Sequence, residues 1–390
     1  MQFFLFTFFF SLTISAENNF SYKTELGIDY RIFPEKSIRQ PNDQNSQFSG
    51  YLKPELELFP PNSNFEYKFS GLLRNDSSDD ARDYFEIKEL FIQYVDNNFD
   101  ITLGSIQNFW GVTESAHIVD IINQKDYRED LDGEEKLGQP SIRFRKYFDM
   151  DLFSFFIMPY FRERPTNTFN KRFSTPLPVN SSSLFPGSAS KNHIDFSTRF
   201  QKNLGNNDVG LIFFRGNSRD PIVTNDNLNI VNSYKIISVL GLDYQYTSED
   251  LLIKLETTNT NGFDKSYNST VFGFEKLLPS TFNRIEINTL LEFQFDDRNL
   301  TEAPLTSLDK DIFFGFRFNL NDINDTQFLV GSNIDTNDSS SFSILEGSRR
   351  FLDSYKLSLT YRGFSNYKRE QSFYFIKNDD YLNLNVSKFF

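Results

Sequence analysis

The richest set of chemical groups in this chain lies in residues 104–140, which hold the single Trp and one of the two His residues. Ser115, His117 and Asp120 fall within six positions there, and covalent catalysis needs a nucleophile, a base and an orienting acid. Their order and spacing match no known triad, and a triad is defined by geometry rather than by sequence position. We therefore predict that the chain is not an enzyme, and keep a hydrolase that uses His117 or His193 as an alternative.

Carboxylates in the run DYREDLDGEE, residues 126–135, raise the separate question of a metal site. An EF-hand loop needs Asp at its first position, Gly at its sixth and Glu at its twelfth. With Gly133 at the sixth position, Arg128 comes first and Gln139 last, so the run does not fit that loop. The chain has no Cys, and its two His residues are far apart, which gives a transition-metal site little support. We predict no metal site and no cofactor, with a calcium site of another type as an alternative.

Segments of strict period-two alternation are the elements that must position this stretch. In SYKTELGIDYRI, residues 21–32, one face carries Tyr, Leu and Ile while the other carries Lys, Glu, Asp and Arg. The same division recurs in NFEYKFSGLLR, residues 64–74, and in RIEINTLLEFQFDD, residues 284–297. Segments of about ten residues with one apolar and one charged face are typical of transmembrane β-strands. A half-buried sheet of a soluble protein alternates in the same way, so the pattern alone does not decide.

The connections between these segments favour the membrane protein. We predict eighteen strands, near residues 21–32, 48–59, 64–74, 84–95, 99–109, 140–148, 151–161, 192–202, 208–216, 234–247, 250–260, 268–278, 283–296, 311–320, 326–334, 341–350, 353–364 and 379–390. Short turns such as PPNSN and SED follow alternate strands, whereas most other connections are longer. That order is typical of outer-membrane barrels. The fold class predicted is therefore all-β: a transmembrane antiparallel β-barrel of about 18 strands (16–18) without a plug domain.

Composition and the first residues agree with this fold and suggest a location. The chain has 47 Phe and 18 Tyr, and its mean hydropathy of −0.46 argues against a bundle of membrane helices. The net charge of −13 argues against nucleic-acid binding. MQFFLFTFFFSLTISA has an apolar core followed by small residues, as in a signal peptide. We predict that residues 1–16 are a signal peptide and that residues 17–390 form a barrel in the lipid of a bacterial outer membrane.

Several motifs carry a resemblance to a known group of proteins. FWGVTES, DIINQKD and EEKLGQP within residues 104–140, PYFRERP at 159–165 and the DDYLNL ending are similar to segments of an uncharacterised family of Gram-negative outer-membrane porin-like proteins. The resemblance implies an outer-membrane barrel and a pore, and implies no substrate. The terminal strand, which ends in Phe390, also resembles the signal that the outer-membrane assembly machinery recognises, so we predict that machinery as a partner.

Placed between the fifth and sixth predicted strands, residues 110–139 become the third external loop. In many general porins this loop folds back into the lumen, where opposed charges filter solutes by size and charge. We predict a pore constriction made by Glu114, Asp120, Asp126, Asp130 and Asp132 of the loop and by Arg143, Arg145 and Arg199 of the wall. Further basic residues expected on the facing wall are Lys53, Lys68 and Arg74. A solvated surface loop is the alternative.

Three smaller expectations accompany the constriction. The apolar segment HIVDII, residues 117–122, should pack the loop against the wall or form a short helix. Trp110 should lie where the chain leaves the membrane. The basic connection 162–191 should either dip inward, so that Arg162, Arg164, Lys171 and Arg172 oppose the acidic loop, or form a surface lid.

The function predicted from these features is that of a porin-like channel. Small hydrophilic solutes would diffuse passively through the water-filled lumen of an unplugged barrel of this size, past the constriction at residues 110–139. Two alternatives from other classes stay open: a barrel hydrolase, and a structural or binding barrel at the cell surface.

Overall fold

A computed structural model of the chain describes residues 19–39, 44–226, 228–279, 285–306, 309–369, 371 and 373–390. The predicted signal peptide, residues 1–16, lies outside that part. Within it, helical structure consists of two 3₁₀ turns, Asp80–Arg82 and Tyr374–Ile376. No described helix has the length and the run of apolar residues that crossing a bilayer takes.

Eighteen strands form one closed antiparallel sheet. Each of these strands pairs with the next barrel strand along the chain, and the last pairs with the first, so the sheet has no free edge. The barrel strands are β1 (Asn19–Ile32), β2 (Ser46–Phe59), β3 (Phe65–Asp76), β4 (Tyr84–Val95), β5 (Phe99–Ile106), β6 (Gln139–Phe148), β7 (Asp151–Met158), β8 (Asp195–Asn203), β9 (Asn207–Asn217), β12 (Ile236–Thr247), β13 (Leu251–Asn261), β14 (Tyr267–Leu277), β15 (Glu286–Asp296), β16 (Lys310–Asn319), β17 (Gln327–Asp335), β18 (Ser341–Phe351), β19 (Tyr355–Ser365) and β20 (Tyr381–Phe389). A separate hairpin, β10 (Ile222–Asp226) and β11 (Asn229–Ser233), lies between β9 and β12. The predicted barrel of 18 strands is confirmed.

The two faces of the sheet differ as the alternation predicts. On β1, Leu26, Ile28 and Tyr30 point outward and leave between 42% and 50% of their surface exposed, whereas Asp29 and Arg31 point inward and are buried. No described residue outside the sheet covers this apolar outer face, which is the kind of face that a transmembrane barrel presents to lipid. The ends of the barrel are called the turn end, where the short connections such as 60–64 lie, and the loop end.

Several predicted strands are too long at the loop end. The strand expected at 99–109 ends at Ile106, the one expected at 151–161 ends at Met158, and the one expected at 192–202 begins at Asp195. The residues left over do not continue the ladders of these strands; Asn108, for example, donates through its N–H to the side chain of Asn123 at 2.8 Å. Residues 283 and 284 of the thirteenth predicted strand lie outside the described residues, and β15 begins at Glu286.

The connection expected at 217–233 contains the β10–β11 hairpin, which the sequence analysis missed. Each of its strands has only five residues, too few for the alternation to be recognised. The contrast in connection lengths is also weaker than expected, since residues 262–266 and 336–340 at the loop end form connections as short as most turns.

One irregularity in the wall bears on the interior. The pairing of β3 with β4 shifts between Ser70 and Gly71, which leaves Lys88 as an extra residue of β4. Phe85 and Leu90 are exposed on the outer face on either side of this β-bulge. A bulge re-aims the side chains next to it, and here Lys88 faces the lumen.

Candidate functional site

Residues 107–138, called the inner loop, connect β5 to β6 and cross the lumen. On one side, Lys88 of β4 donates to the Lys136 carbonyl at 3.0 Å and pairs with Glu135 at 3.3 Å. On the other side, Glu292 of β15 accepts a hydrogen bond from the Glu114 N–H at 2.7 Å. β4 and β15 lie nine strands apart in the ring of 18, which puts them on opposite sides of the barrel. The loop therefore spans the interior from wall to wall.

Glu256 of β13 holds the first part of the inner loop. Its Oε1 accepts hydrogen bonds from the Val112 N–H at 2.7 Å, the Thr113 N–H at 3.1 Å and the Thr113 hydroxyl at 2.7 Å. Its Oε2 accepts from the Val119 N–H at 3.3 Å. Buried N–H groups need acceptors, and a carboxylate is a strong one. The wall residue thus replaces the backbone partners that this irregular segment lacks.

Glu292 of β15 plays the same part for the next two residues. It accepts from the N–H groups of Glu114 at 2.7 Å and Ser115 at 2.8 Å, and also from the Ser115 hydroxyl. The Glu114 side chain pairs with Arg317 of β16 at 2.6 Å. Glu114, which we predicted for the constriction, therefore faces a basic wall residue that the sequence analysis did not identify.

An apolar cluster fixes the loop to a third region of the wall. Trp110, Val119 and Ile122 are buried with side chains of β7, β9 and β12, among them Phe156 and Phe214. The Trp110 and Phe156 rings meet edge to face with centroids 5.7 Å apart. The segment HIVDII therefore packs against the wall without forming a helix. The expectation for Trp110 was wrong, because the strand ends at Ile106 and Trp110 lies inside the barrel.

The acidic second part of the loop meets basic residues of β1 and β3. Glu129 lies 2.7 Å from Arg74, which also pairs with Asp29 at 2.6 Å. Arg31 donates to the Glu129 carbonyl at 2.5 Å, and the Tyr84 hydroxyl donates to the Glu129 carboxylate at 2.7 Å. Burial opposes ionisation of Glu129, but the Arg74 guanidinium holds the pKa of that carboxyl well below its usual range. Glu129 is therefore a fixed negative charge at neutral pH.

Asp130 and Asp132 converge on one guanidinium. Arg362 of β19 lies 2.8 Å from Asp130, 2.9 Å from Asp132 and 2.6 Å from Glu346. Burial would raise the pKa of Asp130, but Arg362 lowers it below the usual value, whereas burial and the Asp130 charge raise the pKa of Asp132 to about 7. Because both carboxylates are bonded to Arg362, they are not open ligands for the calcium ion considered above.

The two remaining predicted carboxylates are bonded within the loop itself. Asp120 forms an ion pair with Lys136, and burial nevertheless raises the pKa of Asp120 above its usual value. Asp126 is fully buried and pairs with Arg128 at 2.8 Å. These two residues stabilise the fold of the loop and do not oppose charges of the wall.

The predicted wall arginines lie together, but away from the loop carboxylates. Their bonds go to other wall residues: Arg143 to Thr102 at 3.0 Å, Arg145 to Asp100 at 2.9 Å and Arg199 to Asp243 at 2.8 Å. With Trp110 they line a cavity of about 210 Å³. Of the other basic residues expected on the wall, Arg74 and Lys53 reach the inner loop, while Lys68 pairs with acidic wall residues.

A second cavity of about 400 Å³ lies at the loop end. The inner loop contributes residues 115–118 to its lining, and the outer connections contribute Arg164, Asp220, Arg298 and Phe373. The inner loop therefore borders both cavities, one lined by the wall arginines and one lined by charged and aromatic residues of the outer connections.

Six charged residues of the wall bond to the loop but were not predicted to do so: Arg31, Lys88, Glu256, Glu292, Arg317 and Arg362. Each lies in a predicted strand on its inward face, so the charged face of the alternation was the available signal. What the sequence does not reveal is which inward charge lies opposite the loop.

Ser115, His117 and Asp120 do not form a catalytic array. Ser115 donates to Glu292, Asp120 pairs with Lys136, and His117 Nε2 lies 3.1 Å from Glu134. His193 bonds to Asp195 at 2.8 Å. Each of these side chains is bonded to a residue outside the set, whereas the members of a catalytic triad are bonded to one another.

The connection between β7 and β8 lies against the inner loop and other outer connections. Arg162 pairs with Glu86 at 2.6 Å, and its carbonyl accepts from Gln124 at 3.3 Å. Arg164 stacks 5.1 Å from the Tyr127 ring, and Arg172 pairs with Asp379 at 2.9 Å. The connection thus contacts the inner loop, as expected if it dips inward. Its arginines, however, do not pair with the predicted carboxylates.

No family model and no curated protein matches the sequence. Solved structures do match its fold. OccK11 (OpdR) of Pseudomonas aeruginosa has a TM-score of 0.56 at 9% identity, over 95% of this chain and 95% of that chain. OccAB3 of Acinetobacter baumannii has a TM-score of 0.54 at 11% identity, over 95% and 99%. OccK8 (OprE) of Pseudomonas aeruginosa has a TM-score of 0.53 at 9% identity, over 95% and 98%. The chain is thus similar in fold to these proteins over nearly their whole length.

Proposed function

We propose that this chain is a porin-like channel of a Gram-negative outer membrane, through which small hydrophilic solutes diffuse passively. The observation that carries the proposal is the inner loop, which reaches from Lys88 on one wall to Glu292 on the opposite wall. A closed barrel of 18 strands is wide enough for an aqueous lumen. A loop fixed across that lumen would narrow it, and cavities of about 400 and 210 Å³ border the loop.

Selection at this constriction would rest on fixed charges. Glu129, Asp130 and Asp132 lie with Arg74 and Arg362 on one side of the loop, and Arg143, Arg145 and Arg199 lie together on the other. A solute that passes must exchange some of its hydration shell for these groups. We infer that both charge clusters, and not one row of opposed charges, set the preference of the pore.

The membrane setting follows from the outer face. Leu382, Leu384 and Val386 of β20 point outward, while Asn383 and Ser387 are buried inside. Lys388 lies on the outward row at the turn end, 4.5 Å from the Phe390 ring, where its amine reaches the membrane surface. We propose that this last strand is the segment that the outer-membrane assembly machinery binds, and that the loop end faces the outside of the cell.

The hydrolase alternative has no bonded catalytic array among the described residues to support it, and a structural or binding barrel would not need a loop across its lumen. Conductance separates the three classes. The purified full chain, refolded in detergent, should give stepwise currents in a planar bilayer. A silent bilayer together with hydrolysis of phospholipid or peptide would favour the hydrolase, and a silent bilayer without hydrolysis would favour the structural barrel.

The role of the inner loop has its own test. Deletion of residues 112–136 should raise the conductance of each step, because it removes the segment that spans the lumen. Unchanged conductance after that deletion would show that the loop does not limit the current. Liposome swelling with a panel of neutral, anionic and cationic solutes would then define what passes.

A further inference from the structure

Three aspartates at the loop end form a cluster apart from the lumen site. Asp309 precedes β16, Asp311 lies within it, and Asp335 ends β17. One carboxylate oxygen of each lies within 4.8 Å of the others. Asp311 and Asp335 are direct cross-strand partners in the β16–β17 ladder. Like charges directly opposite each other destabilise a sheet, so this pair needs a compensating group.

The surrounding protein does not supply that group. Asp311 is only 4% exposed, and its Oδ2 atom is buried without a hydrogen-bond partner among the described residues. None of the three carboxylates pairs with a described Lys or Arg. In the neighbouring connection, Lys368 pairs with Asp338 at 4.0 Å and not with the cluster. A buried carboxylate without a partner is unfavourable unless it is neutralised or coordinates a cation.

The backbone around the cluster is held in place. Thr336 donates to the Lys310 carbonyl through its N–H at 2.9 Å and through its hydroxyl at 2.7 Å. Asn337 donates through its side chain to Asp309 at 3.1 Å and through its N–H to Asp335 at 2.6 Å. These bonds fix the two segments that carry the carboxylates, and no described donor reaches the buried Oδ2 atom of Asp311.

We propose that Asp309, Asp311 and Asp335 bind a single Ca²⁺ ion at the loop end of β16 and β17. Carboxylate oxygens are the ligands that hard divalent cations prefer, and Ca²⁺ accepts them in irregular arrangements. The three ligand atoms lie within 4.8 Å of one another, which allows one ion to contact all of them. Mg²⁺ demands near-ideal octahedral geometry and dehydrates reluctantly, so an irregular set of carboxylates favours Ca²⁺.

The bound ion would join the connection 336–340 to the beginning of β16 and neutralise the facing aspartates. None of the three ligands belongs to the inner loop, so the proposal does not rest on the channel function proposed above. Its ligands come from two strands, and the sequence analysis therefore had no local motif to recognise.

Calcium binding is measured on the full chain refolded in detergent without lipopolysaccharide and freed of metal with EGTA. Calorimetric titration with calcium chloride alone should show one ion per chain, and calcium should raise the temperature of thermal unfolding followed by circular dichroism. Asp311→Asn should weaken the affinity at least about tenfold, since even changes around a metal site cost that much. Asp335→Asn should do the same.

The matched control is Asp264→Asn, because Asp264 is an exposed carboxylate at the same end that pairs with Lys235. It should bind calcium as the unchanged chain does. In EGTA, Asp311→Asn should unfold at the same temperature as the unchanged chain or at a higher one, because it relieves the repulsion from Asp335. Absence of stoichiometric calcium binding, full binding by both cluster variants, or equal affinity for magnesium would overturn the proposal.

Discussion

Glu256 of β13 accepts hydrogen bonds from both the N–H and the hydroxyl of Thr113, at 3.1 and 2.7 Å, although 143 residues separate the two in the chain. The Glu256 side chain is fully buried beneath the inner loop. Burial of this carboxylate is tolerated because the loop donates hydrogen bonds to it. The same hydrogen bonds hold the loop in place. Wall and loop therefore depend on each other.

Glu256→Ala should loosen the inner loop. The substitution leaves the N–H groups of Val112, Thr113 and Val119 without their acceptor, and each buried donor left unpaired costs about 1–3 kcal/mol. We expect single channels with larger and noisier currents in planar bilayers. Glu249→Ala, in the exposed turn before β13, is the control and should conduct normally. Currents from Glu256→Ala that match the unchanged protein would mean that other contacts suffice to hold the loop.

Arg362→Gln should make the pore more selective for cations. It removes the positive charge that Asp130, Asp132 and Glu346 share, so the negative charge of these carboxylates is no longer balanced. The reversal potential in a salt gradient should shift in the cation-selective direction. Combining it with Asp132→Asn should reverse part of the shift. Arg350→Gln, at the exposed turn end, should leave the potential unchanged, and an equal shift in both arginine variants would contradict the assignment.

Alkaline pH should release the inner loop through His117. Burial disfavours the charged ring, but the carboxylates of Glu134, 3.1 Å away, and Glu256, 3.9 Å away, raise the pKa of His117 to about 9. Because the pKa of His117 in the folded protein exceeds that of a free histidine, the charged ring stabilises the folded state. This contribution to the free energy of unfolding is roughly 3 kcal/mol; it is complete below about pH 6.5 and is lost as the pH rises through 9.

We therefore expect current noise to rise between about pH 8 and pH 10. In His117→Gln the noise should already be raised at neutral pH and should change less over this range. Lysines that titrate at higher pH contribute to the current noise of both proteins. Subtracting one noise profile from the other therefore removes their contribution. A noise profile of the same shape in both proteins would show that another group is responsible.

Gly104→Ala should weaken the wall where the inner loop begins. Gly104 has a φ of +145°, and an added Cβ would lie 2.1 Å from the Leu90 carbonyl oxygen of β4. Backbone atoms cannot move aside cheaply, so we expect a loss of more than about 1 kcal/mol. The resistance of the folded barrel to unfolding in urea would measure it. Gly50→Ala has open space around its new Cβ and should be neutral or slightly stabilising.

Period-two alternation together with the order of short and long connections was enough to predict the barrel, because lipid and lumen impose opposite demands on successive residues. It assigned Tyr30 to lipid and Arg31 to the interior correctly, and it located all eighteen strands. It could not show the bulge at Lys88, since an extra residue in one strand is visible only against its partner. Strand ends such as Ile106 were also misplaced. Apolar residues that follow the strand into the lumen extend the same alternation as the apolar residues that face lipid, so the sequence does not mark where the strand ends.

Contacts across the lumen are harder to predict for a geometrical reason. The sequence indicated that Asp130 and Asp132 would meet basic wall residues, but the candidates were taken from strands near the loop in the chain. The partner is Arg362, which becomes a neighbour only when β20 pairs with β1 and closes the ring. The same limit applies to Asp311 and Asp335, which meet through the register of two strands.

The bonding of the inner loop also orders the folding of the molecule in time. Lys88, Arg74 and Arg31 precede the loop, but Glu256, Glu292, Arg317, Arg362 and Tyr381, whose hydroxyl donates to Asp130 at 2.7 Å, follow it in the chain. These five partners are not in place while only the first six strands have formed. Contacts of such long sequence separation form late, because the intervening chain must first lose its freedom. The lumen is therefore enclosed first and narrowed afterwards, and an incompletely closed barrel would be a wider opening than the mature one.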